Sequence, residues 1–288
     1  MKIGIIGCGY VGHSVAVEWK KEGHYISTTT RRPERVAQLK NFVDSVCLLN
    51  EQTFPTYIEQ QEVLLICVAP DASSDYVSTY LHTAKQVATQ ASRAPFLRQI
   101  IYTSSTSLYG DHQGEWVDEE SPLHFQNENQ QILYETEKIL LDCSSPNLHV
   151  CILRLGEIYG PGREIEERLR RNQNHFFAGS GASFTNLIHL NDIVKALGFV
   201  TSAVSRLRGI YNLCSDFHIS RKQFYDQICQ KEKIPFIQWD PTRSTSHGGN
   251  RRVSNQKIKN EGFVFTHPLY EFRSLIKSGI KQEGKSSF

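Results

Sequence analysis

The chain has 288 residues, 39% of them hydrophobic and 22% charged, and a formal net charge of +2. That composition belongs to a packed globule of one large α/β domain or two modest ones, not to a disordered, fibrous or polyanion-binding chain. The longest apolar run, Val63 to Pro70, is far short of the ~18–20 residues that cross a bilayer. The opening Met-Lys-Ile-Gly-Ile-Ile-Gly runs straight into a glycine-rich turn, so no signal peptide and a cytoplasmic location are expected. Seven scattered cysteines with no C-x-x-C pair fit a reducing compartment without a disulfide framework. Neither they nor the eleven histidines are spaced for a metal site, and no metal is expected.

Short apolar runs alternate with amphipathic stretches over the first 155 residues or so. Strands are expected at Lys2–Ile6, Tyr25–Thr30, Val63–Val68, Gln99–Thr103 and His149–Leu155. Between them, helical spacing marks His13–Glu22, Tyr76–Gln90 and Gln131–Leu141. Near-continuous apolar strands separated by helices predict a Rossmann-type, doubly wound parallel sheet covered on both faces. Beyond residue 160 the texture changes, with loop signals at Pro161-Gly162 and Ala178–Gly181 around a charged helix, Glu164–Arg171. A helix at Asn191–Val200, a strand at Gly209–Leu213 and a helix at Arg221–Lys231 follow. Thr242–Asn250 and the last residues, Gln282–Phe288, read as loop and frayed tail. The expected layout is a dinucleotide-binding domain over 1–160 and a smaller α/β substrate lobe over 161–288, with some of its elements returning to the main sheet.

Gly7-Cys8-Gly9-Tyr10-Val11-Gly12 is G-x-G-x-x-G between a strand and a helix. The first glycine permits the tight turn, the second lets backbone approach a pyrophosphate, and the third lets helix and strand pack closely. The helix N-terminus adds N–H donors and a positive dipole. Tyr10 and Val11 therefore join Gly7, Gly9 and Gly12 as cofactor-binding candidates. At the end of the second strand, Thr30-Arg31-Arg32 replaces the carboxylate that usually accepts from the ribose of NAD. Two guanidiniums beside a hydroxyl suit a 2′-phosphate, so NADP is expected ahead of NAD. Ala69-Pro70 and Thr103, at the carboxyl ends of later strands, fall where this fold places its ligand.

Tyr134 and Lys138 form Y-x-x-x-K inside an expected helix, an i, i+4 pair on one face. A cation beside a phenol favours phenolate and brings it nearer working pH, as acid–base catalysis needs. The hydroxyl-rich run Tyr102 to Tyr109, with Ser105 in it, ends a strand where a hydroxyl can meet a substrate carbonyl or alcohol.

Taken together, these blocks resemble the extended short-chain dehydrogenase/reductases of the NAD(P)-dependent epimerase/dehydratase family. The resemblance runs through Gly7–Gly12, Ser104-Ser105-Thr-Ser-Leu-Tyr109-Gly110, Tyr134 with Lys138, Leu153 to Gly162, and Asn186 to Asp192. Gly110 to Glu119, Arg163 and Arg252-Val-Ser-Asn255 look like an atypical subgroup of it. The resemblance implies catalysis by Ser105, Tyr134 and Lys138, with Lys138 also on the nicotinamide ribose. It also implies a substrate site in the C-terminal lobe, with Glu157, Arg163, Asn186 and His189 as polar candidates. Thr106-Ser107 after Ser105, where sugar-nucleotide dehydratases carry Asp-Glu, speaks against a 4,6-dehydratase.

Two readings follow. One is an NAD(P)-dependent oxidoreductase or epimerase acting on a small carbonyl, alcohol or nucleotide sugar; the other is a non-catalytic NAD(P)-binding redox sensor. The expected partner is a small-molecule substrate, with no nucleic acid and no membrane, on a monomer or homodimer. Arg168-Leu-Arg170-Arg171 and Arg251-Arg252 are read as solvated charge rather than a nucleic-acid surface.

Overall fold

A computed structural model describes residues 1–70, 75–172, 175–202, 207–243 and 249–271. The chain opens with β1 (Lys2–Ile6), α1 (Tyr10–Lys21), β2 (Tyr25–Thr30), α2 (Val36–Leu39), β3 (Ser45–Leu48), α3 (Thr53–Glu59) and β4 (Val63–Ile66). There follow α4 (His82–Ala91), β5 (Gln99–Ser105), β6 (Trp116–Val117), α5 (Glu128–Leu141), β7 (His149–Leu155) and β8 (Glu157–Tyr159). The remainder is α6 (Ile165–Arg171), β9 (Phe176–Ala178), β10 (Leu187–His189), α7 (Leu190–Thr201), β11 (Gly209–Leu213), α8 (Arg221–Glu232), β12 (Gln238–Asp240), β13 (Arg252–Val253) and α9 (Gln256–Asn260).

Seven strands make one parallel sheet in the order β11-β7-β5-β4-β1-β2-β3, so the winding reverses between β1 and β4. This is the expected doubly wound sheet, and its switch point opens a crevice at the strands' carboxyl ends. Every residue of β4 and β7 is buried, as a sheet covered on both faces requires. On one face Trp19 of α1 packs with Ile193 and Leu197 of α7 and Ile258 of α9. The other face buries Phe54 and Ile58 of α3, Val87 of α4 and Leu140 of α5. A third cluster, with Tyr159, Leu169, Phe224 and Tyr225, lies under the C-terminal elements.

Three expected strands, β1, β2 and β7, match to the residue, and so does β11, which returns beside β7. Others shift at their ends. The helix expected from Gln131 begins at Glu128, because the Asn127 side chain accepts the Gln130 N–H and caps it. Short β3 is only partly buried and gave no apolar run to read. Part of the Thr242–Asn250 stretch is anchored: the Asn250 N–H donates to Asp111 at 2.7 Å, and a Cβ on Gly249 would sit 2.2 Å from the Gly110 carbonyl. Residues 244–248 and the tail Gln282–Phe288 lie outside the described residues.

Candidate functional site

Two clefts meet along the carboxyl edge of the sheet. The first, about 790 Å³, runs over the switch point. Gly7, at φ +97°, makes the turn out of β1, and a Cβ there would lie 2.7 Å from the backbone of Cys67. A Cβ on Gly12 would lie 2.4 Å from the Gly7 carbonyl, so this glycine serves packing and does not line the cleft. At Gly9 an added Cβ would meet nothing within 4 Å. That open space faces the N-terminus of α1, where no side chain caps the backbone donors. Bare backbone, N–H donors and room for a diphosphate coincide, and a dinucleotide fits.

Tyr10, Val11, Thr30, Arg31, Arg32, Ala69, Thr103 and Ser105 all line this cleft, whereas Pro70 does not. Thr30 accepts the Arg32 N–H at 3.1 Å, which shapes the turn carrying the arginines. Arg35, which the sequence gave no reason to single out, lines the same end and donates to the Cys8 carbonyl at 3.0 Å. No carboxylate is found among the described residues lining this cleft.

The second cleft, about 670 Å³, lies toward the C-terminal elements. Arg163, Arg168, Arg171, Arg221 and Arg251 line it against Glu157, Glu164 and Glu167, a cationic excess among the described residues. Arg168 pairs with Glu157 and donates to the Tyr225 hydroxyl at 2.8 Å, and Arg221 donates to the same hydroxyl at 3.0 Å. Arg251 corrects the expectation of solvated charge: it is 6% exposed and donates to the Gly110 carbonyl at 2.8 Å. Its neighbour Arg252 stacks on Trp116 and Phe184 at 5.2 and 4.9 Å. The sequence could not distinguish these from surface arginines, because their burial comes from a strap that crosses back from residue 249.

Ser105, Leu155, Gly156, Ile158 and Arg163 line both clefts. Ser105 ends β5, and its hydroxyl accepts the Ser107 N–H at 3.1 Å and donates to the Ser107 hydroxyl at 2.9 Å. Gln130, buried on α5, donates to the Ser107 carbonyl at 2.6 Å and holds that turn from behind. Arg163 lies over the Tyr10 ring at 4.4 Å.

The other predicted residues are placed differently. Tyr134 is 39% exposed and packs on Phe125 at 5.5 Å, and Lys138 is exposed; neither lines a cleft. The inner face of α5 is instead Gln130, Leu133, Glu137 and Leu140. Successive helical residues turn by about 100°, which carries Tyr134 and Lys138 past the edge of that buried face. Of the three, only Ser105 lines a cleft. Asn186 lines the second cleft, but its amide donates to the Arg251 carbonyl and accepts the Val253 N–H. His189 lines neither cleft: it caps α7 by accepting the Asn191 N–H and stacks on His267 at 3.8 Å.

Residues 3–214 match the NAD dependent epimerase/dehydratase family, a span that holds the main sheet but for its first residue, Lys2, and the Gly-rich turn. The chain belongs to that family. It is 29% identical over 279 residues to Protein YeeZ of Escherichia coli (strain K12), covering 93% of this chain and 96% of that protein. A conserved protein of unknown function from Silicibacter pomeroyi DSS superposes with a TM-score of 0.76 at 25% identity, over 93% of this chain and 94% of that one. The UDP-glucuronic acid 4-epimerase of Bacillus cereus, solved with UDP-glucuronic acid and NAD, gives 0.76 at 15% identity over 90% and 92% of the two chains. At that identity the likeness is one of fold. No helix among the described residues is long and apolar enough to cross a membrane.

Proposed function

We propose that the chain binds NADP(H) across the β1–β4 switch and takes an anionic small molecule, best matched by a nucleotide sugar, in the adjoining arginine-lined cleft. The observation that carries this reading is the junction: Ser105 borders both clefts, so a substrate carbon and a dinucleotide can meet beside its hydroxyl. Ser105 donates a hydrogen bond to the reacting oxygen in place of its present bond to Ser107. Bound cofactor would supply the hydride chemistry, and the chain supplies orientation and charge. Arg163, at the junction, and Arg251, held in the wall, face the substrate's negative groups. The preference for a 2′-phosphate rests on Arg31, Arg32 and Arg35 at the β2 end.

Calorimetry with NADPH and NADH, followed by turnover on a panel of UDP-sugars and simpler carbonyls, tests this. Dinucleotide binding that strengthens with a UDP-sugar, and turnover lost in Ser105→Ala, is the expected result. Absence of dinucleotide binding would overturn it. The placement of Tyr134 and Lys138 outside the cleft favours a second reading, an NAD(P)-binding regulator without turnover. Tight dinucleotide binding with no turnover on any of the panel would select that reading.

A further inference from the structure

The Gly-rich turn and the arginines account for the adenosine half of the cofactor cleft, and the other half has an unusual wall. Tyr102 and Ser104 are two residues apart on β5 and so point from one face of the sheet. Ser104 is the register neighbour of Arg154 on β7. The Tyr102 hydroxyl, the Ser104 hydroxyl and the Arg154 Nη1 are all buried; the two hydroxyls face each other, Arg154 lies over the Tyr109 ring at 4.9 Å, and Glu137 of α5 takes the other two guanidinium nitrogens. They form a polar niche in a face otherwise packed with Ile66, Ile100 and Ile152, and a polar cluster buried this deeply calls for a functional or solvent explanation.

Tyr80 lies beside this niche. It lines the cofactor cleft with Ser104, and its phenol lies within electrostatic reach of Tyr102. The segment that carries it, Val77–Leu81, is wound as a π-helical turn packed against α5, a winding found often at functional sites. Tyr76 holds the ring at 5.1 Å. Burial, reinforced by the Tyr76 phenol, keeps Tyr80 above the usual tyrosine range, so it remains a donor at working pH. A dinucleotide with its adenosine over β2 lays its nicotinamide nucleoside over β4 and β5, where Tyr80 sits.

We propose that Tyr80 is a cofactor-contacting residue, its phenol donating a hydrogen bond to the nicotinamide nucleoside, with Tyr102, Ser104 and Arg154 as the polar wall behind it. The inference rests on the dinucleotide reading above and assigns to the Val77–Leu81 turn a contact that Tyr134 and Lys138, which line neither cleft, do not supply. Affinities of the unmodified protein and Tyr80→Phe for NADPH and NADH, and for the adenosine fragments 2′,5′-ADP and 5′-AMP, test it. Losing one hydrogen bond should weaken both dinucleotides by about 3–10-fold and leave both fragments within about two-fold. The fragments also report whether the variant is folded. Unchanged dinucleotide affinity, or equal loss for dinucleotides and fragments, would overturn the assignment. If the unmodified protein binds neither dinucleotide, the functional reading itself falls and takes this contact with it.

Discussion

A side chain added at Gly9 and one added at Gly12 would meet opposite surroundings. The Gly9 direction is empty, so Gly9→Val should fold normally but fill the space kept for a diphosphate. Its melting temperature should stay within a few degrees of the unmodified protein, while dinucleotide affinity falls by about 10-fold or more. At Gly12 the new Cβ would press on the Gly7 carbonyl and the Cys67 sulfur, at 2.4 and 2.9 Å. Gly12→Ala should therefore cost about 1–3 kcal/mol of stability, read by urea denaturation. The arginines form the other residue-level test. Replacing Arg31 and Arg32 together should cost NADPH about 10-fold or more, and NADH much less, because only the former carries the 2′-phosphate. Equal losses for the two cofactors, measured by calorimetry, would show that these guanidiniums do not read that group.

Helix α5 decides between the two catalytic pictures. Tyr134→Phe removes an exposed hydroxyl outside the cleft, so turnover should stay within about two-fold of the unmodified protein. A proton donor would instead lose about 10²–10⁴-fold. Four residues on from Leu133, on the inner face, Glu137 meets Arg154 of β7 in a bidentate pair at 2.7 and 3.1 Å, with side chains only 2% and 3% exposed. Glu137→Ala strands a buried guanidinium and should cost about 3–5 kcal/mol in urea denaturation, far more than any surface pair in the chain. The i, i+4 spacing of Tyr134 and Lys138 is real. Spacing shows that two residues share a face, but not which face the tertiary packing turns inward.

At the scale of the whole molecule, stability should fall on the acid side of neutrality. Burial lowers the pKa of His189, with the facing His267 adding to it, and burial likewise lowers that of His218. Both then bind protons less readily folded than unfolded, where histidine titrates near ~6.5. Well above that pH neither state is protonated and the pair contributes nothing. As pH drops through it the unfolded chain takes up protons first, and stability is lost until the folded groups also titrate. Melting temperature should thus decline between pH 7.5 and 5.5, and less so in His218→Gln. A flat profile in the unmodified protein would refute the shift.

What the sequence by itself determined is the part governed by local rules. Apolar runs the length of a strand, the glycine turn and the helix periods yielded β1, β2, β7 and β11 to the residue, the parallel doubly wound class and the Gly-rich end of the first cleft. The loop motif was legible because Gly7, Gly9 and Gly12 stand at a fixed spacing between one strand and one helix, although Cys67, against which Gly7 and Gly12 pack, is remote in sequence. The tertiary structure alone decided the second cleft. Arg251 becomes a buried wall residue because the strap from residue 249 packs onto Gly110 and Asp111. Asn186 and His189 are taken up by that strap and by the α7 cap. Tyr80 reaches the Tyr102 and Ser104 pair only when the Val77–Leu81 turn packs onto α5 and the sheet, and the rotation of α5 about its own axis leaves Tyr134 and Lys138 off the clefts that Ser105 lines. Contacts between segments far apart in sequence leave no period or spacing to read, so those roles are set by packing.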